Sequence, residues 1–134
     1  MENRTRRIPN FDDKEHTIRW GTATLGQHSE IKLHILGVPQ PIVARLDPAI
    51  ILGRPENDEA ADMNVNLSAY GAADLGVSRQ HAVLELQRKT VILTDLGSTN
   101  GTFLNDQPVL ANQRRVVRDN DEIRLGRLII HIYF

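Results

Sequence analysis

The sequence predicts an all-β domain built as a sandwich of two sheets. Three observations carry this prediction. Short apolar segments recur about every ten residues from Ile31 onward, turn-forming residues separate them, and no segment has the spacing of an amphipathic helix. Strands that each bury one face need a second sheet to cover that face, and two packed sheets are the common arrangement.

The alternation of apolar and polar side chains predicts the individual strands. The first is Ile31–Ile35, which alternates at every second position as a strand with one buried face does. Ile42–Leu46 and Ile50–Leu52 follow it as shorter apolar segments. Ala82–Leu86 and Val91–Leu93 are separated by residues 87–90 and have the spacing of a β-hairpin. The series is completed by Val116–Val117, Glu122–Leu125 and Leu128–Ile132.

Turn residues stand between the later segments. A further strand is predicted to begin at Thr102 and Phe103. Asn105-Asp106 follows the pair Phe103-Leu104 of this strand, and Asn120-Asp121 precedes Ile123. Because Asn and Asp tolerate positive φ and bond their own backbone, both pairs are predicted to form tight turns. Gly126-Arg127 separates the last two strands.

Two stretches lack this alternation. Residues 1–30 carry charged and polar residues with scattered apolar ones, so we expect a flexible leader ahead of a single domain at residues 31–134. Residues 55–77 are the least regular part of that domain, and a loop of this length is usually functional or mobile. The loop carries four acidic residues, namely Glu56, Asp58, Glu59 and Asp62. Because their spacing is not that of a calcium-binding loop, we expect a solvated acidic turn and no metal site.

Length, charge and composition limit the class of protein. A chain of 134 residues builds one core and is too short for two ordinary domains. The net charge of -1 gives no overall attraction to nucleic acid or to an anionic membrane, so any recognition of anions must be local. No apolar run is long enough for membrane insertion, and the N-terminal residues lack a secretory signal. The absence of cysteine excludes disulfides and fits a reducing, cytoplasmic location.

Two polar islands and an isolated Gly-Arg pair stand beside the predicted strands. The islands are residues 76–82 (Gly-Val-Ser-Arg-Gln-His-Ala) and residues 95–102 (Asp-Leu-Gly-Ser-Thr-Asn-Gly-Thr), and the pair is Gly53-Arg54. Because each adjoins a strand, their hydroxyls, amides and guanidinium are expected on a rigid rim. A guanidinium binds phosphate through two parallel charge-assisted hydrogen bonds, and a serine hydroxyl or a loop amide donates to phosphoryl oxygens. These residue types together predict a phosphate-binding site.

In this order, the pair and the two islands resemble the forkhead-associated (FHA) domain, and the resemblance covers roughly residues 30–134. It implies an FHA-like β-sandwich of two mostly antiparallel sheets with about eleven short strands, one of them at Asn64–Leu67. It also implies recognition of phosphothreonine peptides downstream of a serine/threonine kinase, with no catalytic residue, no cofactor and no metal. The implied partners are a phosphothreonine-containing protein or peptide and the upstream kinase.

The resemblance also assigns roles to single residues. Arg54 and Ser78 are the two principal phosphate contacts, and Ser78 has both a hydroxyl and a loop amide to donate. Asn100 fastens the backbone of the bound peptide, while Thr99 offers the phosphate another hydroxyl. Arg79 either adds positive potential or braces the neighbouring loop. Three residues support the binding loops, namely Gly53, His81 and Gly101. Members of the family also read the third residue after the phosphothreonine, through loops that vary, so no preference is implied for this chain.

Three other functions fit parts of the sequence. Ser78, His81 and Asp95 are the residue types of a hydrolase triad, but no Gly-x-Ser-x-Gly elbow is present, so the chain is predicted not to be an enzyme. A phosphate-independent protein scaffold or oligomerisation domain of the same fold is the main alternative. Nucleic-acid binding is suggested by five arginines near the C-terminus, namely Arg114, Arg115, Arg118, Arg124 and Arg127. It is disfavoured because acidic residues stand between these arginines and because aromatic residues make up only 4% of the chain.

The leader offers a ligand within the same chain. Thr5 lies three positions before Ile8, and Thr22 lies three positions before Leu25, spacings that resemble aliphatic-selecting sites in the family. The corresponding expectation is that the phosphorylated N-terminal leader binds its own domain. The extended chain from Thr22 to Ile31 spans only about 30 Å, so a neighbouring copy is within easier reach of that threonine.

Overall fold

The computed structural model of the protein describes residues 29–55 and 64–134, and eleven strands form within them. In chain order they are β1 (Glu30–Ile35), β2 (Ile42–Arg45), β3 (Ala49–Gly53), β4 (Asn64–Asn66), β5 (Ala82–Gln87), β6 (Thr90–Asp95), β7 (Thr102–Leu104), β8 (Gln107–Val109), β9 (Arg114–Val117), β10 (Glu122–Leu125) and β11 (Leu128–Tyr133). The predicted leader up to residue 28 and the predicted acidic turn at residues 56–62 lie outside the described residues.

The strands form two sheets, which confirms the predicted sandwich. A six-stranded sheet has the order β2-β1-β11-β10-β7-β8, and a five-stranded sheet has the order β4-β3-β5-β6-β9. Neighbouring strands run antiparallel except for the parallel pair β3–β4. Within the described residues, no helix is long and apolar enough to cross a membrane.

A single cluster of buried apolar side chains joins the two sheets. In β1 the buried residues Ile31 and Leu33 alternate with the exposed Lys32, as the sequence predicts. From the other sheet, Leu52 and Leu84 enter the same cluster with no exposed surface. Each such side chain contributes about 1.5–3 kcal/mol when it leaves water, so the core holds both sheets in a fixed relation.

The predicted strands and turns agree with the structure to within a residue or two, with one omission. β10 has the predicted bounds, and Asn105, Asp106 and Asn120 have the positive φ values expected of tight turns. The omitted strand is β8, which the sequence does not signal because it has three residues, includes Pro108 and buries only Val109.

The strand register brings three loops together at one end of the sandwich. Leu52 of β3 pairs with Ala82 of β5, and Ala82 pairs with Asp95 of β6. The end of β3, the start of β5 and the end of β6 therefore lie side by side. Because these strands lead into Arg54 and the two polar islands, the sheet sets the positions of the polar residues relative to one another.

The stretch before β5 is irregular in backbone but packed. A short 3-10 helix spans Ser68–Tyr70, and turns continue to Gly76. Leu67 and Ala72 are fully buried, and the Arg127 amide donates to the Leu75 carbonyl at 2.8 Å. Residues 67–76 are thus tied to the core and to the β10–β11 turn.

Candidate functional site

The Gly53-Arg54 pair is fixed directly against the first polar island. The Arg54 amide donates to the carbonyl oxygens of Ser78 at 3.3 Å and Arg79 at 3.1 Å. A Cβ atom on Gly53 would lie 2.1 Å from the Arg79 carbonyl oxygen, a distance that no real side chain tolerates. Only glycine therefore allows the backbone of residues 78–79 to approach β3 so closely.

The Arg54 side chain is held at one edge of its guanidinium. Its Nε–H donates to the carbonyl oxygen of Val77 at 2.5 Å, and the residue is half-buried. A guanidinium carries four further N–H groups on its two Nη atoms, and these present the planar fork that suits a phosphate. The bond to Val77 thus limits the orientations that this cation can adopt beside the first island.

His81 connects the two islands from below the rim. The Ser78 amide donates to His81 Nδ1 at 3.0 Å, so the ring proton is on Nε2, which donates to the Gly101 carbonyl oxygen at 2.8 Å. The imidazole is fully buried. Burial lowers the pKa of His81 from its ordinary value, against smaller raising effects of the Gly101 carbonyl and of the Asp95 charge. The ring is therefore neutral and acts as a hydrogen-bonded brace.

Ser78 faces the second island through its hydroxyl. The Thr99 amide donates to Ser78 Oγ at 3.1 Å, which leaves the hydroxyl proton as a donor for another acceptor. The Ser78 amide, in contrast, is already used by His81. The Ser78 amide is therefore not free to donate to a phosphate as expected, while a phosphate contact of the hydroxyl stays a prediction.

Asn100 lies exposed at the top of the second island. Its Nδ2 donates to the Gly76 carbonyl oxygen at 3.0 Å, which ties this island to the start of the first one. The amide oxygen Oδ1 keeps its acceptor capacity for a peptide N–H. Thr99 and Arg79 are also exposed, so three predicted site residues lie at the surface of the two islands.

Gly101 is an acceptor shared between two elements. Its carbonyl oxygen receives the His81 Nε2–H at 2.8 Å and the Gly126 amide at 2.9 Å, while its own amide donates to Ser98 Oγ at 3.0 Å. The β6–β7 loop is thereby connected to β5 and to the β10–β11 turn.

Asp95 organises the β6–β7 loop, a role that the sequence analysis did not assign. Its Oδ2 accepts from the amides of Gly97 and Ser98, and its Oδ1 accepts from the hydroxyls of Ser98 and Thr102, both at 2.6 Å. Burial raises the pKa of Asp95, but these hydrogen bonds outweigh it and the net pKa is lowered. The signal in the sequence is the spacing Asp-x-Gly-Ser, since aspartate commonly caps amides two and three residues ahead.

The geometry does not form a hydrolase relay among these residues. His81 bonds the amide of Ser78 and not its hydroxyl, and the Asp95 carboxylate bonds the β6–β7 loop. A nucleophile must instead share its hydroxyl proton with the base. The three residues are therefore arranged as supports of two loops.

Comparison with known proteins gives the family context. The family model described as FHA domain matches residues 50–126. Protein FraH of Nostoc sp. is 34% identical over 76 residues, which cover 57% of this chain and 25% of FraH. The glycogen accumulation regulator GarA of Mycobacterium tuberculosis is 37% identical over 54 residues, which cover 40% of this chain and 32% of GarA. The matches thus span between a quarter and a third of these relatives.

Solved FHA structures resemble about three quarters of this chain. An FHA structure solved in work on phosphothreonine-dependent FHA domain interactions is 30% identical, with a TM-score of 0.60, and the match covers 78% of this chain and 96% of that one. The FhaA FHA domain, solved in complex with the intracellular domain of Rv3910, is also 30% identical, with a TM-score of 0.57 and coverage of 76% and 98%.

Proposed function

We propose that this chain, which belongs to the FHA domain family, is a phosphothreonine-peptide recognition module in serine/threonine kinase signalling and not an enzyme. One observation carries the proposal. Arg54 follows β3 and Ser78 precedes β5, and hydrogen bonds hold these two residues side by side at the rim. The phosphothreonine-dependent interactions of a relative that is 30% identical support the same ligand.

In the proposed mechanism, different residues bind the phosphate and the peptide backbone. The Nη groups of Arg54 and the hydroxyl proton of Ser78 bind the phosphate, and the Thr99 hydroxyl assists. Arg79 adds positive potential at the exposed edge. Asn100 donates to and accepts from the backbone of an extended peptide, which fixes its register beside the phosphate.

Threonine is expected to be preferred over serine as the phosphorylated residue. The extra methyl of phosphothreonine fills a small niche on the rim, and burial of one methyl contributes roughly 0.8 kcal/mol, or about a fourfold preference. Kinase signalling of this type puts the module in the cytoplasm, with phosphothreonine proteins and their kinase as partners.

Calorimetry with one phosphothreonine peptide tests the proposal. Arg54→Ala removes a charge-assisted phosphate contact and is expected to weaken binding by about 1.5–3 kcal/mol, or ten- to a hundredfold, with little change in stability. Ser78→Ala should be similar or milder, and Asn100→Ala should weaken binding without unfolding the domain. Arg118→Ala is the matched control, because it removes an exposed arginine beyond β9, at the opposite end of the sandwich.

Two outcomes would contradict the proposal. Unchanged affinity in folded Arg54→Ala protein would remove Arg54 from the site. Binding of the unphosphorylated peptide with equal affinity would instead identify the phosphate-independent scaffold as the function.

A phosphorylated leader is the ligand that the chain itself could supply. Tethering gives a segment of this length a local concentration on the order of millimolar, so even a weak contact of phosphorylated Thr5 or Thr22 would compete with other peptides. The module would then be regulated by phosphorylation of its own chain or of a second copy.

A further inference from the structure

A depression of about 310 Å³ is lined on one side by Asn100. Its wall includes Leu75 and Gly76, the ring of Phe103, and the arginines Arg124 and Arg127. Because Asn100 Nδ2 bonds the Gly76 carbonyl oxygen, the depression adjoins the residue proposed to hold the peptide backbone. A peptide that passes over Asn100 would therefore put one of its side chains here.

The depression is built from fixed parts. A Cβ atom on Gly126 would lie 2.6 Å from the Leu75 carbonyl oxygen, so the β10–β11 turn lies directly against the 67–76 segment. The Arg127 amide adds a hydrogen bond to Leu75 O at 2.8 Å, and the Gly126 amide bonds Gly101 O at 2.9 Å. Backbone from three parts of the chain thus holds the site in shape before any ligand binds.

Two guanidinium groups give the depression its chemistry. Arg124 lies over the Phe103 ring, with its Cζ 3.9 Å from the ring centroid, and its Nη1 donates to the Gly126 carbonyl oxygen at 3.0 Å. Arg127 donates through Nη2 to the Asp74 carbonyl oxygen. These partners are a neutral ring and backbone carbonyls, and neither arginine forms a salt bridge to a carboxylate of the described residues. Both positive charges are therefore held in place without a neutralising carboxylate among residues 29–55 and 64–134.

We propose that this depression selects an acidic side chain in the phosphopeptide, bound by Arg124 and Arg127 while Arg54 and Ser78 hold the phosphate. The proposal rests on the proposed function and adds the class of sequence that the module prefers. Desolvation against Phe103 and a fixed guanidinium strengthen such a pair relative to one on an open surface. The chain's net charge of -1 means that this selection is local and does not come from a general attraction to anions.

If the acid follows the phosphothreonine, the same preference makes the leader a weak ligand. In the three positions after Thr5 stand Arg6, Arg7 and Ile8, and after Thr22 stand Ala23, Thr24 and Leu25. None of them is acidic. A phosphorylated leader therefore lacks an acidic residue in the three positions after its phosphothreonine. Its binding to the site would depend on the high local concentration that comes from being part of the same chain.

The test compares phosphothreonine peptides in which a single glutamate is moved along an otherwise neutral sequence, each paired with its glutamine counterpart. At one position the full chain is expected to bind the glutamate peptide about fivefold more tightly than the glutamine peptide, with the difference reduced in high salt. Arg127→Gln should abolish the difference and leave affinity for the glutamine peptide unchanged, while the control Arg118→Gln should preserve it. Arg127→Glu should reverse it in favour of a lysine peptide.

The outcomes separate this proposal from the proposed function. Equal affinities for glutamate and glutamine at every position, with tight binding that still requires Arg54, would overturn the acidic selection alone. Failure of every phosphothreonine peptide to bind would overturn the function. A peptide with phosphoserine in place of the glutamate shows which anion the depression prefers. Tighter binding than the glutamate peptide indicates a second phosphate as the ligand, and equal or weaker binding indicates a carboxylate.

Discussion

At the scale of single residues, His81 is the buried link between the two loops of the rim. One buried ring fixes the Ser78 amide and the Gly101 carbonyl, which belong to different loops. The resemblance of the sequence to the FHA domain predicts a supporting role for this histidine. It could not predict which Ser78 group the ring would bond, because a spacing of three residues in a loop does not fix the direction of a side chain.

The lowered pKa of His81 predicts an acid-sensitive stability. The unfolded chain binds a proton near the ordinary value of 6.5, while the folded chain resists it because of burial, so unfolding takes up a proton below that pH. The contribution of His81 to stability should be fully present above pH 6.5 and should decline as the pH falls toward the lowered pKa. Urea unfolding of wild type and His81→Gln between pH 5 and 8 measures it.

The His81→Gln protein should be less stable at pH 8 and should show a weaker decline with acid, because the other histidines are common to both proteins. Identical pH profiles of the two proteins would contradict this explanation.

His81→Ala should lower the melting temperature and weaken phosphopeptide binding together, since it leaves the Ser78 amide and the Gly101 carbonyl unpaired. A fully stable His81→Ala protein without binding would make His81 a ligand contact.

At the scale of elements, the β6–β7 loop is a unit ordered by one carboxylate. Asp95 accepts four hydrogen bonds from residues of the following turn and from the start of β7. Thr99 and Asn100 lie between these anchors. Their positions are therefore set by Asp95 and not only by their own contacts.

Asp95→Asn tests this arrangement. An amide in place of the carboxylate turns one acceptor into a donor that faces existing donors, so we expect a loss of about 1–3 kcal/mol in the free energy of unfolding and weaker peptide binding. Denaturant titration measures the first and calorimetry the second. Asp106→Asn is the control, because Asp106 is exposed in a turn with φ 67°, a conformation that asparagine also adopts. Equal stability of the two variants would show that the loop does not depend on Asp95.

How far the sequence predicts an element depends on its length and pattern. The hairpin of β5 and β6 was predicted from apolar periodicity, although its central residues Arg88 and Lys89 both have positive φ, which their residue types do not signal. The irregular stretch before β5 was recognised as a long loop. Its burial of Leu67 and Ala72 was not predicted, because isolated apolar residues without a period do not show what they pack against.

At the scale of the whole molecule, the proposed binding rim and the β5–β6 turn lie at opposite ends of the sandwich. Arg54 and both islands lie at one end, whereas the β5–β6 turn at Arg88 and Lys89 lies at the other. The rim could be proposed from the sequence because its residue types, taken together, suit the binding of an anion. The Arg124 and Arg127 depression could not, since it forms only where the β10–β11 turn meets the 67–76 segment.

The proposed regulation by the leader is tested on the intact chain. Phosphorylation at Thr5 or Thr22 is expected to weaken binding of a labelled phosphothreonine peptide or to produce oligomers, because the tethered phosphate competes for the rim of its own copy or of a neighbour. Fluorescence anisotropy and light scattering on kinase-treated protein measure the two effects, with the Thr5→Ala and Thr22→Ala proteins as controls. Unchanged affinity together with an unchanged oligomeric state would reduce the leader to a linker.

The most direct test of the central claim maps the ligand onto the fold. We would record backbone amide chemical shifts of the isotope-labelled chain while a phosphothreonine peptide is added, with the unphosphorylated peptide as control. The account predicts that the largest shifts occur at Arg54, Ser78, Thr99 and Asn100, only with the phosphorylated peptide, and that Arg88 and Lys89 do not move. Shifts centred on the β5–β6 turn, or equal shifts with both peptides, would contradict it.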